Sequence, residues 1–423
     1  MAGPYYCDLA ADFVDRTGVD STTNVYTGPG GFQAAVRGTG NATALAAGET
    51  LYLKGTATLC RLVLLRCGKD VSSWSVGDTV VDNNTGSEWS GKVCQVNVGA
   101  VNTDIIIQTD SAYEQNDITL GSGINNTTAV DTTTLATKTC EGILIDGADG
   151  NATSGRVILQ GTTDLSSPTT NLGQAILEAT SAGTNATNCL AMEQDVDAWS
   201  YNYLTFQNAV GDGFEGNYTD HYNNKFNHCL AQNNGGHGFD LHYTAKVTVH
   251  ACIARSNTGT GFYSCFGSGV IVHSVASGNS GDGIFMWQMA TLWGCLCYEN
   301  TGDNISLRSS ATTLLVANCV AADSSGGSGI KFASVVEDQR LIANRITGNN
   351  QYGIEGIANS LFTMEDWNVI EGNGVAARLN VAAGPNSDDS PADDGFVNSA
   401  SDDYNIKTGA EIRSTALTLN WDV

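Results

Sequence analysis

Three side chains suited to acid–base chemistry stand at related positions in the second half of the sequence. Glu215 and Asp240 are 25 residues apart, and His242 follows Asp240 by two positions. If the chain places the two carboxylates on adjacent layers, they would lie roughly 5–6 Å apart, which overlaps the geometry of retaining glycosidases. One carboxyl would then have a raised pKa, and His242 could act as a base. The alternative is that all three are ordinary polar surface residues.

Aromatic and cationic side chains continue the same two rows. The first row contains Glu215, Asp240, Tyr263, Phe285, Ser306, Lys331 and Glu355, and the second contains Asn217, His242, Cys265, Trp287 and Arg308. Aromatic faces stack on sugar rings, while carboxylates and guanidinium groups hold hydroxyl and acidic groups. The candidate glycan-binding residues are therefore Tyr263, Trp287, Arg308 and Lys331.

Two further features look less suited to chemistry. Asp282 and Asp303 share a column at a turn, which predicts solvated turn residues. His237 lies in a Gly-His-Gly segment similar to one in polygalacturonases, but neighbouring segments lack that family's acidic elements. No phosphate-binding loop, dinucleotide fingerprint or His-x-x-x-His spacing is present, so neither a cofactor nor a metal is expected.

These residues are positioned by a repeat of about 23 residues. A small residue followed by an apolar one recurs at intervals of 21–25, with the apolar members at Phe214, Phe239, Phe262, Ile284, Ile305, Ile330, Ile354 and Val375. The preceding residue is glycine in seven cases and Asn304 in the eighth. Glycine and asparagine are the residues that best tolerate positive φ, which predicts a turn of that kind before each apolar residue.

Other columns keep the same register. They are an asparagine column (Asn234, Asn257, Asn279, Asn300, Asn349), a cysteine column (Cys229, Cys252, Cys295, Cys319) and a small-residue column that includes Ala231, Ala254 and Ala276. Short strands without helical periodicity predict one coil of a parallel β-solenoid per repeat, with asparagine side chains forming an amide ladder. Leucine-rich and helical repeats fit poorly. A reduced interior thiol ladder is favoured over disulfides, because the protein is expected to fold in cytosol.

The sequence resembles the right-handed parallel β-helix repeat superfamily, which is pectate-lyase-like. The resemblance is carried by segments such as Asn257-Thr-Gly-Thr-Gly-Phe262 and Asn279-Ser-Gly-Asp-Gly-Ile284, and it covers roughly residues 140–380. It implies an all-β fold with coils of about 23 residues. It does not fix the function, because pectinases, alginate epimerases, phage tailspikes and non-enzymatic virion proteins share this fold.

Four regions are predicted along the chain. Residues 1–60 form an N-terminal cap and first coil, with a short helix that places Phe32 and Val36 on one face. Residues 61–118 form a small inserted antiparallel β-domain, residues 119–380 the β-helix, and residues 381–423 an acidic exit segment with closing strands. The aspartates of the exit are Asp388, Asp389, Asp393, Asp394, Asp402 and Asp403. They could bind calcium, although a solvated acidic loop fits them better.

The charge balance excludes some partners. The 423 residues include 44 Asp+Glu and 19 Lys+Arg, giving a formal charge of −25. Nucleic acids and anionic membranes would be repelled. The opening residues have no secretory pattern and no apolar run is long enough to cross a bilayer, so a soluble product of the host cytoplasm is expected.

The favoured function is that of a structural or adhesive protein on the virion surface of a tailed virus. It could be a capsid decoration, a head fibre or a tailspike-like protein, and the opening residues Tyr5 and Tyr6 with the helix-then-strand start resemble phage-encoded β-helix proteins. The expected partners are further copies of the chain, with a trimer favoured, other virion proteins and host surface polysaccharide. One alternative is a polysaccharide lyase or glycoside hydrolase, and another is a cellular surface β-helix protein.

Overall fold

The structure is a computed structural model. It describes residues 5–10, 25–36, 45, 47–82, 89–96, 101–110, 118, 123–140, 142–145, 156–181, 184–192, 196–216, 221–242, 244–264, 269–288, 290–308, 314–334, 339–357, 362–389, 396–398 and 403–406. The chain divides into two compact units, residues 1–222 and 223–423. No helix in the described ranges is long and apolar enough to cross a membrane.

Parallel strands of the first unit form three sheets that repeat in the same order along the chain. The first sheet contains Val25–Thr27, Tyr5–Asp8, Thr50–Lys54, Val157–Gly161 and Trp199–Asn202. The second contains Thr56–Thr58, Ala175–Glu178 and Leu204–Gln207, and the third contains Ile143–Ile145, Leu190–Met192 and Phe214–Glu215. A short antiparallel pair joins Thr180–Ser181 to Thr184–Asn185, and His221–Tyr222 is the last strand of the unit.

A small closed antiparallel barrel is inserted in the first unit. Its strands, in order around the barrel, are Asp131–Thr139, Leu62–Cys67, Asp104–Thr109, Ser90–Val96, Thr79–Asp82 and Gly123–Asn126. Its core includes fully or almost fully buried Trp74, Trp89 and Ile107. The predicted small β-domain is therefore a barrel. It extends to Thr139, beyond the predicted boundary at residue 118, because two further strands are needed to close it.

A helix, Gly28–Val36, precedes the long third strand of the first sheet. Phe32 and Val36 are completely buried, as their common face predicts. The amide of Gly30 donates a hydrogen bond to Oε1 of Gln108 in the barrel at 2.8 Å. The helix is thus held by the barrel as well as by the coils, and a 3₁₀ turn, Leu59–Arg61, leads into the barrel.

The second unit contains seven consecutive coils, each with one strand in each of three parallel sheets. The first sheet contains Lys225–Asn227, Thr248–His250, Gly269–Val272, Ala290–Trp293, Leu314–Ala317, Gln339–Ile342 and Phe362–Asp366. The second contains Leu230–Gln232, Ile253–Arg255, Val275–Ser277, Leu296–Tyr298, Val320–Ala322, Arg345–Thr347 and Val369–Glu371. The third contains Phe239–Asp240, Phe262–Ser264, Ile284–Met286, Ile305–Leu307, Ile330–Phe332, Tyr352–Glu355 and Ala376–Leu379. Thr244–Ala245 is an additional short strand.

The interior of the second unit is a set of stacked columns, as the repeat predicts. Phe239 stacks on Phe262 with ring centroids 5.1 Å apart and planes 6° from parallel. Ala231, Ala254 and Ala276 pair in register and are completely buried. The predicted parallel β-helix with a small inserted antiparallel domain is confirmed.

The asparagine column forms the predicted amide ladder, but the adjoining glycines have a different role from the one expected. Nδ2 of Asn257 donates to Oδ1 of Asn279 at 3.0 Å, and the same bond recurs along the column. The glycine before each apolar residue does not adopt positive φ. A Cβ on Gly261 would instead lie 2.6 Å from the Gly283 carbonyl oxygen and 2.9 Å from Nδ2 of Asn279. Glycine is required at Gly238, Gly261, Gly283, Gly329 and Gly353 because the next coil approaches too closely for any side chain.

Asn304 replaces glycine for a related reason. The coil that follows it has Ser324 where the other coils have asparagine, and this leaves space beside residue 304. Asn300 donates to Oδ1 of Asn304, whose Nδ2 donates to Oδ1 of Asn349, both at 2.8 Å. The side chain of Asn304 therefore bridges the missing step of the ladder, and the positive-φ explanation of this position was wrong.

The cysteine column is a second ladder at another turn. The amide of Cys229 donates to Sγ of Cys252, and the amide of Cys295 donates to Sγ of Cys319, both at 3.4 Å. Each is preceded by a residue with positive φ, such as His228 at 52°. Every cysteine in the described ranges is a buried free thiol, and burial raises the pKa of Cys252.

The last coil departs from the predicted repeat. Val375 is 61% exposed, whereas Arg378 pairs in register with Ile354. Arg378 contacts Oε1 of Glu365 and Oδ2 of Asp389, each at 2.9 Å. The apolar column therefore ends at Ile354, and an ion-pair network ties residues 381–389 to the final coil. Beyond it, Phe396–Asn398 pairs antiparallel with Asp403–Ile406.

Candidate functional site

The outward row of the third sheet lies in the order that the sequence predicts. In the second unit, Asp240, Tyr263, Phe285, Ser306, Lys331 and Glu355 pair strand by strand in register. Alternation along each short strand turns Phe239, Phe262 and Ile284 inward, where they are completely buried. The next side chain on each strand must therefore face outward. We call these six residues the outer row.

The two carboxylates proposed as a catalytic pair belong to different units. Glu215 lies in the first unit, where it pairs in register with Ala191 and its carboxylate accepts a hydrogen bond from Nδ2 of Asn188. Asp240 lies in the second unit, is buried, and accepts a hydrogen bond from the amide of His242 at 2.9 Å. A catalytic role for Glu215, Asp240 and His242 remains a prediction.

Aromatic rings run along the outer row from one coil to the next. His237 stacks on Tyr263 with centroids 4.4 Å apart and planes 8° from parallel, and Tyr263 stacks on Phe285 at 5.0 Å. His242 approaches Tyr263 from the same coil as His237, at 5.5 Å. The solenoid creates this continuous stack because it repeats equivalent positions about 4.8 Å apart. We call His237, Tyr263, Phe285 and Trp287 the aromatic row.

Both histidines beside Tyr263 are disposed to be neutral near pH 7. Burial lowers the pKa of His237, whose Nδ1 accepts the amide hydrogen of Thr260 at 2.9 Å. Burial and then the neighbouring charge of His237 lower the pKa of His242. Because Nδ1 of His237 accepts the Thr260 amide hydrogen, its neutral ring carries the proton on Nε2 and suits hydrogen-bond donation to a ligand. A neutral His242 ring can accept a proton or a hydrogen bond from a ligand hydroxyl, which suits base chemistry.

Trp287 and Arg308 form the outer end of the aromatic row. Trp287 is 40% exposed and lies 6.2 Å from Phe285 between ring centroids. The Arg308 guanidinium carbon is 5.6 Å from the centroid of Phe285, within cation–π range. Tyr263 precedes Phe285 by one coil and Arg308 follows it by one, so Phe285 is sandwiched between a ring and a cation.

A cluster of four charged groups adjoins the aromatic row, and sequence reasoning misjudged two of its members. Nζ of Lys331 lies 3.7 Å from Oδ2 of Asp303 and 3.2 Å from Oε2 of Glu355. Oδ1 of Asp282 accepts the amide hydrogen of Asp303 at 2.8 Å. We call Asp282, Asp303, Lys331 and Glu355 the charged cluster.

Asp282 and Asp303 are not the solvated turn residues that the sequence predicts. The side chain of Asp303 is only 12% exposed. Burial, followed by the charge of Asp303, raises the pKa of Asp282 to about 6, and burial raises the pKa of Asp303. Burial lowers the pKa of Lys331, but the charges of Asp303 and Glu355 outweigh it, so the net shift is upward. The signal was present in the sequence, since the two aspartates are 21 residues apart in one column beside Lys331.

Several predicted site residues lie outside the described residues or contribute elsewhere. Asn217 and Cys265 of the second predicted row, and Asp393, Asp394 and Asp402 of the exit segment, lie outside the described residues. Asp389 is an ion-pair partner of Arg378, and Asp388 donates its amide hydrogen to the Asn368 carbonyl. In the described ranges, no three or more His, Cys, Asp or Glu side chains are grouped to hold a metal ion.

The strands themselves define the class of the protein as a parallel β-helix. No protein-family model matches the sequence, and no curated protein sequence matches it. Among solved structures, the chain is similar to pectate lyase Pel9A, with 13% identity and a TM-score of 0.47 over 98% of this chain and 88% of that chain.

Two further solved structures show the same kind of likeness. The tailspike protein gp49 from Acinetobacter baumannii bacteriophage Fri1, a capsular polysaccharide depolymerase, has 11% identity and a TM-score of 0.37, covering 95% of this chain and 64% of that one. A mutant of the periplasmic alginate epimerase AlgG has 11% identity and a TM-score of 0.39, covering 59% of this chain and 68% of that chain. Likeness at this level concerns the fold, and function must be argued from the site.

Proposed function

We propose that this protein binds polysaccharide along the aromatic row and acts as a surface protein of a tailed-virus particle. The observation that carries the binding function is the unbroken series of rings from His237 through Tyr263 and Phe285 to the half-exposed Trp287. The faces of Tyr263 and Phe285 are occupied by neighbouring rings and by Arg308, so Trp287, 40% exposed, is the ring of the row on which a sugar can stack. The adjacent carboxylates accept hydrogen bonds from the hydroxyl groups of the sugar.

The virion location is a separate part of the proposal. It is supported by the resemblance of the chain's start to phage-encoded β-helix proteins and by the separate barrel, which offers an attachment module distinct from the coils. The favoured trimer belongs to the same proposal. Mass spectrometry of purified particles tests the location, and light scattering of the purified chain tests the oligomer. Absence of the chain from particles would contradict the virion role without affecting the glycan site.

Binding is tested with a matched pair of tryptophan variants. Trp287→Ala should weaken binding to a host surface polysaccharide about tenfold, because one stacked ring contributes roughly 1–1.5 kcal/mol. Trp293→Ala is the control, since Trp293 is 36% exposed and lies on the first sheet of the same unit, away from the aromatic row. Affinity electrophoresis measures both variants. Equal affinities for the two would refute a binding role for the row.

A second candidate function, cleavage of the bound glycan, is favoured by the raised pKa of Asp282. A carboxyl that is partly protonated near pH 6 can donate a proton to a glycosidic oxygen, while an ionised carboxylate on a neighbouring coil attacks the anomeric carbon or activates water. Equivalent positions on adjacent coils are about 4.8 Å apart, close to the carboxylate spacing of retaining enzymes.

Cleavage is tested by incubating the protein with host capsule or exopolysaccharide and following reducing ends and unsaturated uronates. Loss of product release in Asp282→Asn, with release retained in the Glu215→Gln/Asp240→Asn double variant, would assign catalysis to the charged cluster. The opposite pattern would assign it to the pair predicted from sequence. Binding without any release would leave the protein as an adhesin.

A further inference from the structure

We propose that the polysaccharide recognised by the aromatic row carries acidic groups, and that the guanidinium of Arg308 binds them. This inference rests on the proposed glycan-binding function and specifies its ligand class. It begins from the surroundings of Arg308, an exposed cation in a chain with 44 acidic and 19 basic residues.

Several other arginines have carboxylate partners, whereas Arg255 donates to Oε1 of Gln232. Arg66 pairs with Asp104, Arg345 pairs with Glu371, and Arg378 pairs with Glu365 and Asp389. Arg308, by contrast, forms no ion pair with any residue that the structure describes, and its contact is with the ring of Phe285. Its amide donates to the Met286 carbonyl at 2.8 Å, which fixes the backbone at this position.

The other cation of the site is already neutralised. Lys331 lies between Asp303 and Glu355, so its charge is taken up inside the charged cluster. Arg308 is thus the cation of the described site that remains available to an external anion. A planar guanidinium resting on an aromatic ring keeps its N–H groups at its edge, where they can engage a carboxylate in two parallel hydrogen bonds.

Trp287 supplies the complementary half of the subsite. The strands Ile284–Met286 and Ile305–Leu307 pair Met286 with Leu307, so Trp287 and Arg308, the next residues, are neighbours on adjacent coils. Trp287 is 40% exposed and Arg308 is also exposed. A pyranose that stacks on the indole would place an acidic substituent within reach of the guanidinium.

The protein's overall charge restricts the ligand further. A formal charge of −25 opposes a densely charged polyanion. Because charges more than about 8 Å apart are largely screened at physiological ionic strength, a single acidic group beside Arg308 is not opposed in the same way. A polymer with acidic sugars separated by neutral ones therefore fits the site better than a continuous polyuronate.

The test uses bacterial exopolysaccharides that carry spaced uronic acids, such as xanthan and gellan, with neutral dextran for comparison. The polymer that binds best is then compared with its carboxyl-reduced form, which keeps the backbone but lacks the charge. Arg308→Gln should weaken binding of the acidic form about tenfold, the usual worth of a charge-assisted hydrogen-bond pair, and leave binding of the reduced form unchanged. Arg308→Lys should recover part of the affinity. Arg340→Gln is the control, because it removes the same charge from the first sheet.

The outcomes separate the inference from the function on which it rests. If the native and reduced polymers bind equally well, and Trp287→Ala weakens both, the glycan-binding function stands and the role of Arg308 is refuted. If Arg308→Gln weakens both polymers equally, the residue acts through packing on Phe285 and the inference is again refuted. If no polymer binds at any salt concentration, the glycan-binding function fails as well.

Discussion

Exchanging Asn304 for glycine and Ser324 for asparagine should return one step of the amide ladder to its regular position. In the other coils of the second unit a glycine lies beside the asparagine of the next coil, as Gly283 lies beside Asn300. Here the glycine position holds Asn304, and the asparagine position of the next coil holds the smaller Ser324. The Asn304 side chain therefore fills the space of the missing ladder asparagine from the preceding coil.

The magnitude follows from the contacts of Asn304. Asn304→Gly removes its bonds to Asn300 and Asn349 and a 2.7 Å bond to the Ala322 carbonyl. Asn300 keeps a bond to the Ala276 carbonyl, and Oδ1 of Asn349 keeps the amide of Ser324. The Ala322 carbonyl keeps the amide hydrogen of Glu299, so one donor hydrogen of Asn300 remains unpaired in the interior. This lowers the free energy of unfolding by about 1–3 kcal/mol.

Ser324→Asn alone should also destabilise, because its amide would collide with that of Asn304. It also removes the bond from Oγ of Ser324 to the Gly302 carbonyl. The double variant should come within about 1 kcal/mol of the parent, which gives a coupling energy of at least about 1 kcal/mol. Urea unfolding followed by circular dichroism measures all four proteins. Additive losses in the double variant would refute the exchange of roles.

Three further predictions concern stability. Burial and the charges of two neighbouring histidines lower the folded-state pKa of His250, so the folded protein loses stability as pH falls below about 6.5, the pKa of an unfolded histidine. His250→Asn lacks this titration and should gain stability relative to the parent between pH 7.5 and 5.5. A constant difference in the free energy of unfolding across that range would contradict the prediction. Gly261→Ala should cost about 2–4 kcal/mol, because its Cβ would lie 2.6 Å from a carbonyl oxygen. Gly278→Ala should cost only about 1 kcal/mol in the same urea assay, because its φ is +60° but the nearest atom to its Cβ, Oγ of Ser256, is 3.9 Å away. Because the pKa of Asp282 is raised to about 6 in the folded protein, its ionised form disfavours folding. Asp282→Asn should therefore stabilise the protein above pH 7 and lose this advantage as pH falls below 6. Melting temperatures measured across this pH range check the prediction.

The repeat could be found from the sequence because a solenoid brings residues together at a constant spacing along the chain. Phe239 and Phe262 are 23 positions apart, and that interval alone predicts their stacking. The outer row follows for the same reason, since strand alternation determines which neighbour of a buried residue faces outward. The order of Asp240, Tyr263 and Lys331 along the row therefore required no tertiary information.

Properties that depend on distance and burial were decided only by the tertiary structure. The column shared by Asp282 and Asp303 is visible in the sequence, but its low exposure and its approach to Lys331 are not. The glycine column is likewise visible, whereas its cause, a close approach of the next coil rather than a positive φ, needs interatomic distances. That Arg308 has no carboxylate partner among the described residues is also visible only in the three-dimensional structure. Periodicity fixes which residues stack, because it counts positions along the chain, but the charge and reactivity of those residues depend on the atoms that surround them.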